Sequence, residues 1–192
     1  LRMTLLDMAH AEGFNRSAKD VTIGRLLQFG LAPALKQNFE EIQRAPYLIQ
    51  MLLAEINHED TAEFFRVNYD GYWQKFNRGT VIAGDSKVSE RIQKTIENTD
   101  FVALTLNKSI QSALHIWEEG RKKPKLEEGP DSSTESNDEV DDETEGYPID
   151  LKDAFERWNL EVAVLNNSTG RKCLYRSLSA NEVSTVQSEM TR

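Results

Sequence analysis

Apolar residues recur at helical spacing through most of the first 120 positions of the chain, and the breaks between them fall at glycine and proline. Leu1, Leu5, Met8 and Ala9 share one side of a predicted helix that runs to about Ala11 and stops at Gly13. Val21, Ile23, Leu26, Leu27 and Phe29 mark a second helix that begins at Ser17 or Asp20 and stops at Gly30. Pro33 suits the first turn of a third, with Leu35, Phe39 and Ile42 at i, i+4 and i+7, ending before Pro46. Tyr47 to Ile56 is apolar almost all round, which predicts a helix buried at the centre of the core.

Aromatic residues crowd the stretch that follows, from Asp60 to Gly79. At about 100° per residue, Phe65, Tyr69, Tyr72 and Phe76 form one helical stripe, flanked by Phe64 and Trp73. Asp60 with Glu63 resembles a capping box, and Gly79 a stop. The same stretch also fits two short strands joined by a turn at Asp70-Gly71. The stripe runs straight through that glycine, and this favours one helix. Two more helices follow. Asp85 or Ser86 caps one that carries Val88, Ile92 and Ile96, and Asp100 caps a longer one from Phe101 to Glu119, ended by Gly120.

These elements predict an all-α fold, a multi-helix bundle or short helical solenoid over residues 1–123. No internal repeat of fixed period chooses between bundle and solenoid. Residues 124–148 read as a disordered, acidic, Ser-rich linker, because Leu126 to Gly146 holds ten acids, no base and no aromatic residue. Residues 149–170 form a C-terminal amphipathic helix capped by Asp150, with Leu151, Ala154, Phe155, Trp158, Val162 and Leu165 on one face. A helix that short is marginal alone, so it is expected to dock back on the first domain, with docking onto a partner as the alternative. Residues 171–192 are an extended segment and a polar tail.

Composition changes this picture in two ways. The formal net charge of −9 belongs to residues 126–192, since residues 1–125 carry 17 Lys and Arg against 16 Asp and Glu. The folded part is therefore nearly neutral. The single cysteine, Cys173, allows no internal disulfide and fits a reducing compartment. No apolar run reaches the length of a membrane span. The chain opens at Leu1 directly in an apolar pattern, which reads as a piece of a longer intracellular protein.

Catalytic and metal chemistry find little footing. His10, His58 and His115 stand far apart, and neither a His-Glu-x-x-His motif nor a paired Cys-x-x-Cys motif occurs. Cys173 and the serines lack a nucleophile-elbow context. Adjacent acids at Glu40-Glu41 and Glu118-Glu119 splay by about 100° on a helix and make no catalytic dyad. No phosphate loop or dinucleotide fingerprint is present, so no cofactor and no metal site is expected. A helix pair around Gly13 loosely fits a helix-turn-helix, but its second helix offers only Lys19 and Arg25 for phosphate contacts.

Two short features carry more. Arg121, Lys122, Lys123 and Lys125 read as a nuclear localisation signal, or as a cationic helix end at the negative pole of its dipole. Ser132 and Ser136 each precede an acid by three positions, the arrangement acid-directed kinases favour, so both are expected phosphorylation sites. The sequence thus predicts a non-enzymatic scaffold or adaptor module of a nuclear protein, binding another protein or a second copy of itself. Phe64, Tyr69, Tyr72, Trp73, Phe155 and Trp158 are the expected anchors, because aromatic residues at a wet edge dominate such interfaces. The alternatives are a nucleic-acid-associated factor using the first two helices and the 121–125 cluster, and an enzyme with an unrecognised site.

Overall fold

The computed structural model describes residues 1–43, 45–122, 150–167 and 174–190. The molecule is mixed α and β rather than all-α: 54% of the described residues are helical and 14% lie in strands of two antiparallel sheets. The chain divides into two compact units, one of residues 1–103 and 163–177, the other of residues 104–162 and 178–192. The sequence-predicted linker at 124–148, and with it Lys125, Ser132 and Ser136, falls outside the described residues, as does Lys123.

The first unit opens with helix α1, Arg2–Asn15. It passes through Gly13 rather than stopping there. Thr22 caps the next helix, its hydroxyl accepting from the Arg25 N–H at 3.3 Å. Helices α2 (Ile23–Leu26) and α3 (Ala32–Glu40) are joined without a break by one π-helical turn, Leu27–Leu31. The predicted stop at Gly30 therefore does not stop anything. Gly30 is there for a close approach instead: a Cβ on it would stand 2.7 Å from Met8 Sδ of α1. The wider π turn alters the angular step between residues four apart, and Leu27, Leu31 and Leu35 all finish buried.

Strands β1 (Met51–Ile56), β2 (Ala62–Val67) and β3 (Trp73–Phe76) form an antiparallel meander in that order. They replace both the buried helix predicted at Tyr47–Ile56 and the aromatic helix predicted at Asp60–Gly79. Leu53 lies opposite Phe65 and Met51 opposite Val67, while Val67 pairs with Trp73 on the other side. With a period of two, those residues share one face. Phe65 and Val67 on that face join Leu27, Leu31 and Leu35 in one buried cluster, with Leu1, Leu5, Ile23, Met51, Leu53 and Trp73 packed around it. Each such side chain removed from water contributes about 1.5–3 kcal/mol.

Polar contacts fix the register. Asn57 closes the first turn, its side-chain oxygen accepting from the Glu59 and Thr61 N–H groups at 2.9 and 3.0 Å. Glu55 reaches from the core face of β1 to accept from the Ile23 N–H at 2.9 Å, capping α2 from across the fold. The second turn runs from Asn68 to Tyr72, closed by the Asn68 N–H to Tyr72 carbonyl bond of 2.8 Å. Gly71 sits there at φ +83°, and a Cβ on it would be 2.3 Å from the Ala32 carbonyl oxygen. The turn is thus pressed against α3.

Helix α4 (Ser86–Asn98) matches its prediction, with the Asp85 carboxylate accepting from the Lys87 N–H at 2.7 Å and Ile92 buried. It is tied to the chain beyond β3, where Gln93 donates to the Gly79 carbonyl and Arg78 to the Glu97 carbonyl. A short hairpin, β4 (Ala163–Leu165) with β5 (Tyr175–Ser177), completes the unit. Asn167 beside it donates to the Asp60 carboxylate in the first turn of the meander.

The second unit is helical. It holds α5 (Leu106–Arg121), α6 (Leu151–Arg157) and α7 (Ala180–Met190). Among the described residues, Ile110, Ile116, Leu151, Ala154 and Val186 are its buried apolar side chains. Asp150 caps α6 as its sequence predicts, accepting from the Asp153 N–H at 2.8 Å. The helix stops at Arg157, however, and Val162 and Leu165 leave its face for the extended chain around β4. The predicted polar tail after Ser179 is largely α7, whose Val186 is buried.

Candidate protein-interaction surface

The C-terminal end of α3 and the Asn68–Tyr72 turn come together, and residues 47–50 lie across them. The Phe39 and Tyr69 rings lie 5.3 Å apart. The Tyr47 N–H donates to Asn38 Oδ1 at 3.0 Å, beside Phe39, and Gln50 Nε2 donates to Asn68 Oδ1 at 3.2 Å, beside Tyr69. Residues 47–50 are therefore held at both ends against the same edge of the unit. Their apolar side chains face water: Leu48 is 73% exposed, Tyr72 56%, and Phe39, Tyr47, Ile49 and Tyr69 are all exposed as well. Ile42, in the turn after α3, is entirely exposed. These exposed apolar residues are clustered on one edge, whereas single exposed apolar residues are normal. A shallow, open depression lined by Pro33, Lys36, Gln37, Glu40 and Glu41 runs along α3.

The six expected anchors are not placed together. Tyr69 and Tyr72 belong to the turn just described. Trp73 points to the core face, its ring 6.1 Å from that of Phe65. Phe64 is half-buried on the opposite face of the sheet. Its strand neighbour Arg66 on that face lies over the Phe76 ring and donates to Gln74 Oε1 at 2.9 Å. Phe155 and Trp158 belong to the second unit, where Phe155 is half-buried and the exposed Trp158 sets its edge against Trp117 at 6.4 Å. Sequence reasoning missed Phe39, Ile42, Tyr47 and Leu48 as surface residues. The signal lay in the helical pattern itself: Phe39 and Ile42 continue the apolar line of α3 past the point where the sheet covers it.

Of the basic groups singled out by the sequence, Arg25, Arg121 and Lys122 are engaged. Arg16 and Arg25 both reach Glu12, and Arg25 also lies over the Phe29 ring. Arg121 lies over Trp117, and Lys122 pairs with Glu119 at 2.7 Å. The hydrogen bond from Lys122 lowers the Glu119 carboxyl from its ordinary value, and the same bond raises the lysine. Elsewhere, Glu63 accepts from Lys75 and Asn57, both at 2.8 Å. First the lysine bond and then the asparagine bond hold its carboxyl below the usual range. Among the described residues, no group of three His, Cys, Asp or Glu is arranged to hold a metal ion, and no helix is long and apolar enough to cross a membrane. No protein-family model matches the chain, and no curated protein sequence is significantly similar to it.

Proposed function

We propose that the protein is a protein–protein interaction module whose contact surface is the apolar edge formed by Phe39, Tyr47, Leu48, Tyr69 and Tyr72. The observation that carries this reading is the bracing of residues 47–50 between Asn38 and Asn68. A surface pre-organised in this way loses little conformational freedom on binding, so its apolar area converts more fully into affinity. Tyr69 and Tyr72 are both exposed, and tyrosine, with an apolar ring and a polar tip, suits an interface rim. The expected helical surface is replaced by a hairpin turn and a helix end. Arg25, one of the two bases the nucleic-acid alternative relied on, is committed to Glu12 and Phe29, and this weighs against that alternative.

The test compares tagged full-length protein with a Leu48→Glu/Tyr72→Glu variant, both verified as folded by circular dichroism. A partner recovered with the first and lost with the second is the expected result. Identical sets of co-purifying proteins would refute the assignment.

A further inference from the structure

The three-stranded sheet has a second feature, independent of the apolar edge above. Strand β1 is an outer strand, paired on one side with β2. The Asn57 N–H donates to the Thr61 carbonyl, and the Asn68 N–H to the Tyr72 carbonyl. Counting by twos from those two bonds, the main-chain groups of Met51, Leu53 and Glu55 face β2, and those of Leu52, Ala54 and Ile56 face outward. Among the described residues, no partner meets those outward groups.

Edge strands are ordinarily guarded by lysine, proline, a bulge or brevity. The opposite edge, β3, has only four residues and carries Lys75. Strand β1 has six residues in unbroken register with β2, contains no lysine or proline, and puts Leu52, Ala54 and Ile56 on one face. Leu52 is 44% exposed and Ala54 is exposed. Its single charged residue, Glu55, points to the other face and is held by the Ile23 N–H.

The geometry points to a second copy of this chain as the occupant: β1 pairs antiparallel with its own counterpart about a two-fold axis through Ala54, joining two sheets into one. The register carries this choice. Antiparallel pairing centred on Ala54 sets Ala54 against Ala54 and Leu52 against Ile56 of the other copy. All the outward groups then meet, giving about six main-chain hydrogen bonds. The row of Leu52, Ala54 and the half-buried Ile56 becomes a continuous apolar strip with the small residue at its centre, and no charge opposes a like charge directly across the seam. Glu55 falls opposite Leu53 of the other copy. A row that is its own complement under a two-fold axis is what a symmetric dimer interface requires.

The experiment is sedimentation velocity of the full chain over a wide concentration range, joined to residue-resolved amide exchange. The expected result is a reversible dimer with slowed exchange at Leu52, Ala54 and Ile56 that grows with concentration and is insensitive to salt. Leu52→Lys, which leaves the backbone untouched, should weaken the dimer at least about tenfold. Ala54→Pro should remove an outward N–H and do the same. A monomer at every concentration overturns the inference. So does a dimer whose Leu52, Ala54 and Ile56 amides exchange as fast as in the monomer. A Leu48→Glu/Tyr72→Glu variant that still dimerises separates this seam from the apolar edge.

Discussion

At Gly71 two constraints meet in one residue. Its φ of +83° suits glycine, and a Cβ would stand 2.3 Å from the Ala32 carbonyl oxygen. Gly71→Ala should therefore cost about 3 kcal/mol in urea unfolding, the sum of left-handed strain and a backbone clash. Gly84→Ala, where no atom lies within 4 Å of the added carbon, should change stability by less than about 0.5 kcal/mol. Glu63 gives a pH prediction. Its carboxyl is held below the ordinary value of 4.5 by Lys75 first and Asn57 second. A depressed carboxyl stabilises the fold fully above its unfolded value and loses that contribution as pH falls through its folded value. Acid unfolding curves of Glu63→Gln should thus stay separate from those of the unaltered chain above the ordinary value of 4.5 and converge on them only as pH falls through the lowered folded value.

Elements in this protein are defined less by propensity than by what they cover. The helical run from Ile23 to Glu40 passes through Gly30 and an entire π turn because Leu27, Leu31 and Leu35 all lie against the sheet. Leu31→Ala should cost about 2–5 kcal/mol, while Phe29→Ala, on the exposed side of the same turn, should cost far less. Thermal unfolding of the two variants measures the contrast. The aromatic stretch shows how the sequence misleads. Phe65, Tyr69, Tyr72 and Phe76 fit a helical stripe, yet Phe65, Val67 and Trp73 fit a strand–turn–strand equally well once Asn68 to Gly71 is counted as a turn. Short apolar runs do not distinguish a buried helix from a strand by periodicity alone. The Asp70-Gly71 pair was the local signal, and the helical spacing of the rings outweighed it.

On the scale of the molecule, each of the two units carries its own buried residues, and the three tryptophans divide between them: Trp73 in the first, Trp117 and Trp158 in the second. Val186→Ala removes a side chain that is 1% exposed in α7. It should lower the stability reported by Trp117 and Trp158 by about 2 kcal/mol, while single-tryptophan variants reporting from Trp73 shift less. A uniform shift at all three would mean that the units unfold as one.

The sequence by itself determined the elements whose signals are local. Helix α4 was legible from the Asp85 cap and the Val88, Ile92, Ile96 line, and α6 from Asp150, because a cap and a helical stripe lie within a few residues of one another. Tyr69 and Tyr72 were chosen from the sequence as aromatics that tolerate a wet edge, on a helix that the structure replaces with a turn. Only tertiary structure decided the rest. Whether Tyr47 to Ile56 becomes helix or strand depends on Phe65 and Val67 being available as cross-strand partners, and whether Phe39 is core or surface depends on how far the sheet extends over α3. Those outcomes are set by contacts between residues distant in the chain, and such contacts leave no periodic trace in either partner alone.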